Sequence, residues 1–495
     1  MLSSTIMSCL GRTAGPTEEA RGLNQIMNAG LADAGTARVE KVGNSRAELL
    51  RALSMMSEAL EAMVRADCLT LEERRAFIAE FERETDSVLA GLIERAASSR
   101  LPRRSFQALF SAARESCATL LLAHRSCLGL AGSESCSGDL ARRLLRGAAR
   151  LLKWQGLARG PAHGALWAWV DAATHMLRAH SGDAVAHDRA VQDEPSDLLL
   201  VLATQSAGYE RIPLQHAPAL DALLRRLMPQ FCLSGQVMAE FALAYHEGSR
   251  SPPSRPGAGG AETGRTLYFS VAAARDSVVR CKAALASGRS PAMLGFPDIA
   301  ADQLRGALSH LARCWNPEKT RRRSYRHRVD NALYLANGIE AIQLALCDGL
   351  PPAMVHCRLV DISKHGARVL ASTRYGASRL DVGQLLAFRA CDGNAWHIGQ
   401  VRRVWLESEQ EMSVGVETLA AHAFHAQLDD GRNGCDVICW GPFERGKSVR
   451  VVLDPAWQSE ADTLFVNLNG TVRKVRLESR VRLNDDATLA VCRVL

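Results

Sequence analysis

Val360-Asp361-Ile362-Ser363-Lys364-His365-Gly366-Ala367-Arg368-Val369 begins with a strict alternation of apolar and polar residues. Side chains two apart on a strand share a face. The segment therefore predicts a strand that sends Val360 and Ile362 into a core and turns Asp361 and Ser363 together to the other side. Gly366 predicts a tight turn, with positive φ open to it.

The same period recurs downstream. Val475, Leu477, Val481 and Leu483 alternate with Arg476, Glu478, Arg480 and Arg482, and Asp392-Gly393 and Asn469-Gly470 are hairpin signals between such runs. The expectation is a small antiparallel β-barrel over residues 319–425 and an appended β unit over 435–495, with one helix, Gly338 to Cys347, interrupting the strands.

Upstream the period is helical. Leu49, Leu50, Leu53, Met56, Leu60 and Met63 follow spacings of three and four, which line one helix face. Thr70 and Glu73 have the spacing of a capping box ahead of a helix over Leu71 to Ala97. Further helices are expected around Phe106 to Cys127, Leu140 to Leu157, Ala165 to Arg178, Asp197 to Tyr209 and Ala219 to Leu227. Two more are expected over Phe269 to Ala286 and Asp298 to Cys314. Residues 46–316 thus read as an all-α region, broken by a Pro/Gly/Ser-rich flexible loop at 248–264 and preceded by a loosely ordered start at 1–45. The expected fold is multidomain α + β.

Composition narrows the function classes. At 495 residues the chain exceeds what one core can organise, and at 47% hydrophobic it has ample material for several. A net charge of +7, spread along the chain, does not announce a nucleic-acid binder. The 14 cysteines are scattered without zinc-ligand spacing and read as reduced thiols in a cytoplasmic protein. Met1 to Gly15 lacks the pattern of a signal peptide, and the longest charge-free apolar stretch, Leu198 to Tyr209, falls short of the roughly 20 residues that span a bilayer. His175, His180 and His187 do not share one helical face. Gly441 to Ser448 (GPFERGKS) matches a P-loop literally, but a P-loop needs a following helix, and here a β-branched run follows. No catalytic constellation and no cofactor site is expected.

Lys319 to Val329 reads KTRRRSYRHRV and directly precedes an expected strand. Together, Arg322-Arg323-Ser324-Tyr325-Arg326 and Asp361-Ile362-Ser363-Lys364-His365-Gly366 resemble the two signatures of the PilZ domain, R-x-x-x-R and [D/N]-x-S-x-x-G. Trp396-His397-Ile398-Gly399-Gln400-Val401 and Val414-Gly415-Val416-Glu417 look like that family's later strands. The resemblance implies a barrel that binds cyclic-di-GMP through Arg322, Arg326, Asp361, Ser363 and Gly366, with Arg321 and Arg323 as additional contacts.

The residue types suit such a ligand. An arginine fork pairs with phosphate oxygens and with the O6/N7 edge of guanine, and a carboxylate accepts from guanine N–H groups. On an extended loop Arg322 and Arg326 stand about 13 Å apart, enough to hold different parts of one ligand. The stretch between Arg326 and Asp361 is longer than a plain strand–turn–strand needs and holds the expected helix, which bears on the site's reach and stoichiometry. The helical region is the expected output, passing the signal to a protein partner. The alternatives are a degenerate PilZ module that binds protein, or a nucleic-acid binder using the basic run.

Overall fold

Apolar spacing of three and four builds the first of two compact units, residues 1–321 and 322–495. The computed structural model describes residues 46–495 except 67–68, 100–102, 132–136, 161–162, 181–195, 239, 255–264, 317–324, 349–354, 373–379, 409, 458, 460, 462, 469 and 484–486. The expected loose start and most of the Pro/Gly/Ser-rich loop lie outside the described residues.

In the first unit the helices are α1 (Arg46–Arg65), α2 (Leu71–Ser98), α3 (Gln107–Ala131), α4 (Ser137–Ala158), α5 (Leu166–His180), α6 (Ser196–Ala207), α7 (Ala217–Leu227), α8 (Ala272–Ala286) and α9 (Ala301–Cys314). Leu53, Leu60 and Met63, the stripe read from the sequence, are buried in their common core. The capping box forms: Thr70 Oγ1 accepts from the Glu73 N–H and Glu73 Oε2 accepts from the Thr70 N–H. Buried Arg74 donates to the carbonyls of Val64, Ala66 and Leu69, closing the end of α1. No described helix is long and apolar enough to cross a membrane.

One local expectation is corrected. Phe269 does not begin a helix; it belongs to a three-stranded sheet of β1 (Cys232–Ser234), β2 (Leu243–His246) and β3 (Thr266–Ser270), in the order β1-β3-β2. Leu267 and Phe269 are buried with Tyr268 between them less so, a period of two too short to stand out beside the helix that follows from Ala272.

The second unit is two closed six-stranded barrels. The first comprises β4 (His327–Asn337), β5 (Val355–Ser363), β6 (Gly366–Ser372), β7 (Leu385–Ala390), β8 (His397–Leu406) and β9 (Glu411–Ala420), in the order β4-β5-β6-β9-β8-β7. The second comprises β10 (Phe424–Asp429), β11 (Gly434–Trp440), β12 (Ser448–Leu453), β13 (Thr463–Leu468), β14 (Thr471–Arg482) and β15 (Thr488–Val494), in the order β10-β11-β12-β15-β14-β13. Leu333, Leu335, Val369, Val401 and Val414 fill the first barrel; Leu428, Val437, Val451, Val466 and Cys492 fill the second.

These are the same barrel twice. Counted from its own first strand, each has the order 1-2-3-6-5-4, and the registers of the fifth and sixth strands share a bulge at the same place. Val401 opposes Val416 and, after a bulge at Arg402, Arg403 opposes Gly415; Leu477 opposes Cys492 and, after a bulge at Glu478, Ser479 opposes Val491. Each bulged residue forms an ion pair with the next strand, and the charges are exchanged. Arg402 pairs with Glu417 at 2.5 Å, and Glu478 with Arg493 at 2.7 Å. The appended β unit is therefore a second copy of the first barrel's architecture.

Helix α10 (Ile339–Asp348) is inserted between β4 and β5 and joins the copies. Its Ile342 and Ala345 are buried with Ala387, Trp396 and Ile398 of the first barrel and Ile438, Trp440 and Val452 of the second. Gln343 Nε2 donates to the Asp436 carbonyl at 2.7 Å. The insertion noted in the sequence is thus the seam between barrels.

Strand β9 is gripped from both sides by glycines. A Cβ on Gly366 would lie 2.4 Å from the Val416 carbonyl oxygen, and one on Gly399 would lie 2.3 Å from Val416 Cγ1 and 3.0 Å from the Glu417 oxygen. Gly434, whose added Cβ would have its nearest neighbour at 3.8 Å, is a fair control. Gly366→Ala and Gly399→Ala are each expected to lower the stability of the barrel by about 1–3 kcal/mol, the usual cost of overpacking, and Gly434→Ala by much less. Urea titrations of the three variants check this; equal effects at all three would remove the steric account.

Candidate functional site

The basic run enters the first barrel at β4. Arg321, Arg322 and Arg323 lie outside the described residues. Tyr325 is 80% exposed and meets His327 edge to face at 5.1 Å. Arg326 stands directly before β4, where His327 opposes Ile362 and Arg328 opposes Asp361. On the other side of β5, Asp361 opposes Arg368 and Ser363 opposes Gly366. Asp361 thus has an arginine across the sheet on either hand.

The alternation read from the sequence is shifted by one residue at its start. A β-bulge lies between Leu359 and Asp361, so Leu359 and Ile362 take the core positions and Val360 is the extra residue, outside that core. Asp361 and Ser363 remain two apart past the bulge, on the same side as expected.

Arg326 Nη1 donates to Asp361 Oδ1 at 2.5 Å, with the two side chains 38% and 17% exposed. Arg368 is held elsewhere: its Nε donates to Ser413 Oγ at 2.9 Å and its Nη2 to Glu407 Oε1 at 2.8 Å. Ser363 Oγ donates to the Gly366 carbonyl at 3.1 Å, closing the two-residue turn at Lys364 and His365. The His365 carbonyl accepts from the Thr418 N–H at 3.1 Å, tying the turn to β9.

Gly366 is not at positive φ. Glycine is required there by the close approach of the Val416 carbonyl, not by a left-handed turn.

Among the residues singled out from the sequence, Arg326 and Asp361 are brought into contact, and Ser363 and Gly366 build the hairpin that carries Asp361. Arg328 and Arg368 were not singled out. Their signal was present, Arg328 within the basic run and Arg368 two residues past Gly366, but only the strand register sets them opposite Asp361. The arrangement offers guanidinium donors and one carboxylate acceptor on a barrel exterior. Such a set can hold a ligand that carries both anionic oxygens and N–H donors.

The second barrel lacks this set. By register, Trp440 occupies the place of Asp361, Ser448 that of Gly366 and Arg450 that of Arg368. Trp440 is 5% exposed, buried in the seam beside α10. The GPFERGKS stretch is the connection from β11 to β12, and Lys447 runs directly into a strand. No cluster of His, Cys, Asp or Glu among the described residues is placed to hold a metal ion.

No protein-family model matches the chain. A search of curated proteins finds no match either.

Because the Arg326–Asp361 pair is partly exposed, its contribution to folding is small. A double-mutant cycle on Arg326→Ala and Asp361→Ala is expected to give a coupling below about 1 kcal/mol. A coupling of several kcal/mol in thermal or urea unfolding would make the pair a structural element instead of a site held ready for a ligand.

Proposed function

We propose that the chain is a receptor for cyclic-di-GMP and that its first barrel holds the ligand. The observation that carries this reading is the meeting of Arg326 with Asp361. They are 35 residues apart in the chain, and each belongs to one of the two signatures that resemble the PilZ domain. Arg328, opposite Asp361, extends the donor set around it, while Arg368 on the other side is engaged with Ser413 and Glu407.

In this reading Asp361 accepts from guanine N–H donors, while Arg326 and Arg322 address the phosphodiesters and the O6/N7 edge of guanine. The contact with Asp361 holds Arg326 before ligand arrives, which reduces the side-chain ordering that binding must supply. Ser363 serves chiefly by closing the hairpin, and its oxygen keeps an accepting lone pair. The run from Arg321 to Arg328 straddles the sequence boundary between the two compact units. A ligand that draws Arg322 and Arg326 onto the barrel thereby acts on the connection to the helical unit, through which a protein partner reads the signal. Such coupling is limited to the ligand's differential affinity for the two arrangements.

Calorimetry on the full chain tests the proposal. Saturable heat with cyclic-di-GMP, absent with GTP or ATP, is expected. Arg322→Ala, Arg326→Ala and Asp361→Ala should each weaken binding by about 1.5–3 kcal/mol, roughly ten- to a hundredfold, as for other charge-assisted hydrogen bonds. Lysine at 326 should rescue only in part, since a point charge cannot reproduce the planar fork. No heat at high micromolar ligand would leave the barrel as a degenerate module for protein contacts.

A further inference from the structure

The equivalence of the two barrels exposes a face that has changed character between them. In the first barrel, Ala387 on β7 and Ile398 on β8 are opposite each other and are covered by α10 and the second barrel. By register, Phe465 and Lys474 stand at those positions in the second barrel, and they too oppose each other. The second barrel has no counterpart of α10, because β10 and β11 are joined by a short turn at residues 430–433. Its equivalent face is consequently bare: Phe465 is 40% exposed, Val472 is 57% exposed, and Lys474 and Arg476 are exposed.

We propose that this outer face of β13 and β14 binds single-stranded nucleic acid. Arg476 continues the row of Lys474 along the strand, about 6.8 Å away, within reach of successive phosphates of an extended strand. Among the described residues neither side chain has an ion-pair partner. The acids nearest in register are already engaged: Asp429 accepts from the Gly431 N–H at 2.6 Å, and Glu478 pairs with Arg493 at 2.7 Å. An exposed aromatic ring, Phe465, beside unpaired cations suits bases and phosphates together, since a base stacks on the ring while the cations track the backbone. An acidic peptide would use the cations alone. A duplex is disfavoured because its bases are already stacked and the face offers no helix or ribbon to enter a groove. The modest net charge of the whole chain conceals this local pair of cations.

The test is fluorescence anisotropy of a labelled mixed-sequence 12-nucleotide RNA, and its DNA equivalent, titrated with the full chain. Saturable binding that weakens steeply with salt is expected. Lys474→Ala with Arg476→Ala should reduce affinity at least tenfold and lower the salt slope by about one to one and a half, and Phe465→Ala should reduce affinity by a similar factor. Exchange of both cations for glutamate should abolish binding, with the melting temperature and the response to cyclic-di-GMP unchanged. The proposal is overturned by an absence of binding at low salt, or by binding that survives the charge reversal. It is equally overturned if binding is lost only in Arg322→Ala with Arg326→Ala, which would assign it to the basic run. Equal competition by polyglutamate would assign the face to an acidic protein.

Discussion

Strand β9 lies between two neighbours that approach more closely than side chains allow, and the geometry of the first barrel follows from that approach. Gly366 on one side and Gly399 on the other leave the Val416–Glu417 backbone no room for a Cβ at either position. The Thr418 N–H to His365 carbonyl bond fastens the adjoining turn to the same strand. With the turn pinned, Ser363 bonds across to Gly366, and Asp361, two residues earlier, is set on the outer side between Arg328 and Arg368. The aim of the carboxylate is therefore decided by backbone packing several residues away, while its own ion pair with Arg326 is exposed enough to yield to a ligand.

The second barrel repeats that frame with different uses for the same positions. The shared bulge and the charge-exchanged ion pair, Arg402 with Glu417 and Glu478 with Arg493, mark a common scaffold. Where the first barrel has Asp361, the second has Trp440, and that tryptophan lies in the seam. A residue buried against a neighbouring barrel cannot also meet a ligand, so duplication of the fold does not imply duplication of the site. Helix α10 makes the asymmetry possible: it covers one face of the first barrel and leaves the equivalent face of the second open.

Much of this was legible in the sequence, and the omissions have physical causes. The helices of the first unit, the capping box at Thr70 and Glu73, the helix near Gly338 and the pairing of Asp361 with Ser363 on one face all follow from local period and turn chemistry. The bulge at Val360 does not, because one extra residue in a strand leaves apolar and polar residues in an order that reads equally well without it. Nor does the reason for Gly366: a close approach by a strand 50 residues later leaves no local mark. The repeat was hidden because the intervals between equivalent positions are unequal. Leu333 corresponds to Ala426 and Val416 to Cys492, the difference being taken up by α10 and by connections of unequal length, and the outer residues were exchanged across chemical type. Arg368, opposite Asp361, was visible as a residue but not as a neighbour, since register is a property of the paired strands.

Hydrogen exchange on the full chain, with and without saturating cyclic-di-GMP, tests most directly whether one of two equivalent barrels is the receptor. Slower exchange should appear at Tyr325 to Arg328 and at Asp361 to Arg368, with none at the corresponding stretches around Trp440 and Ser448 to Arg450. A change in α9 as well would report transmission to the helical unit. Protection at the equivalent face of the second barrel, or none at Asp361, would contradict the assignment of the ligand to the first barrel.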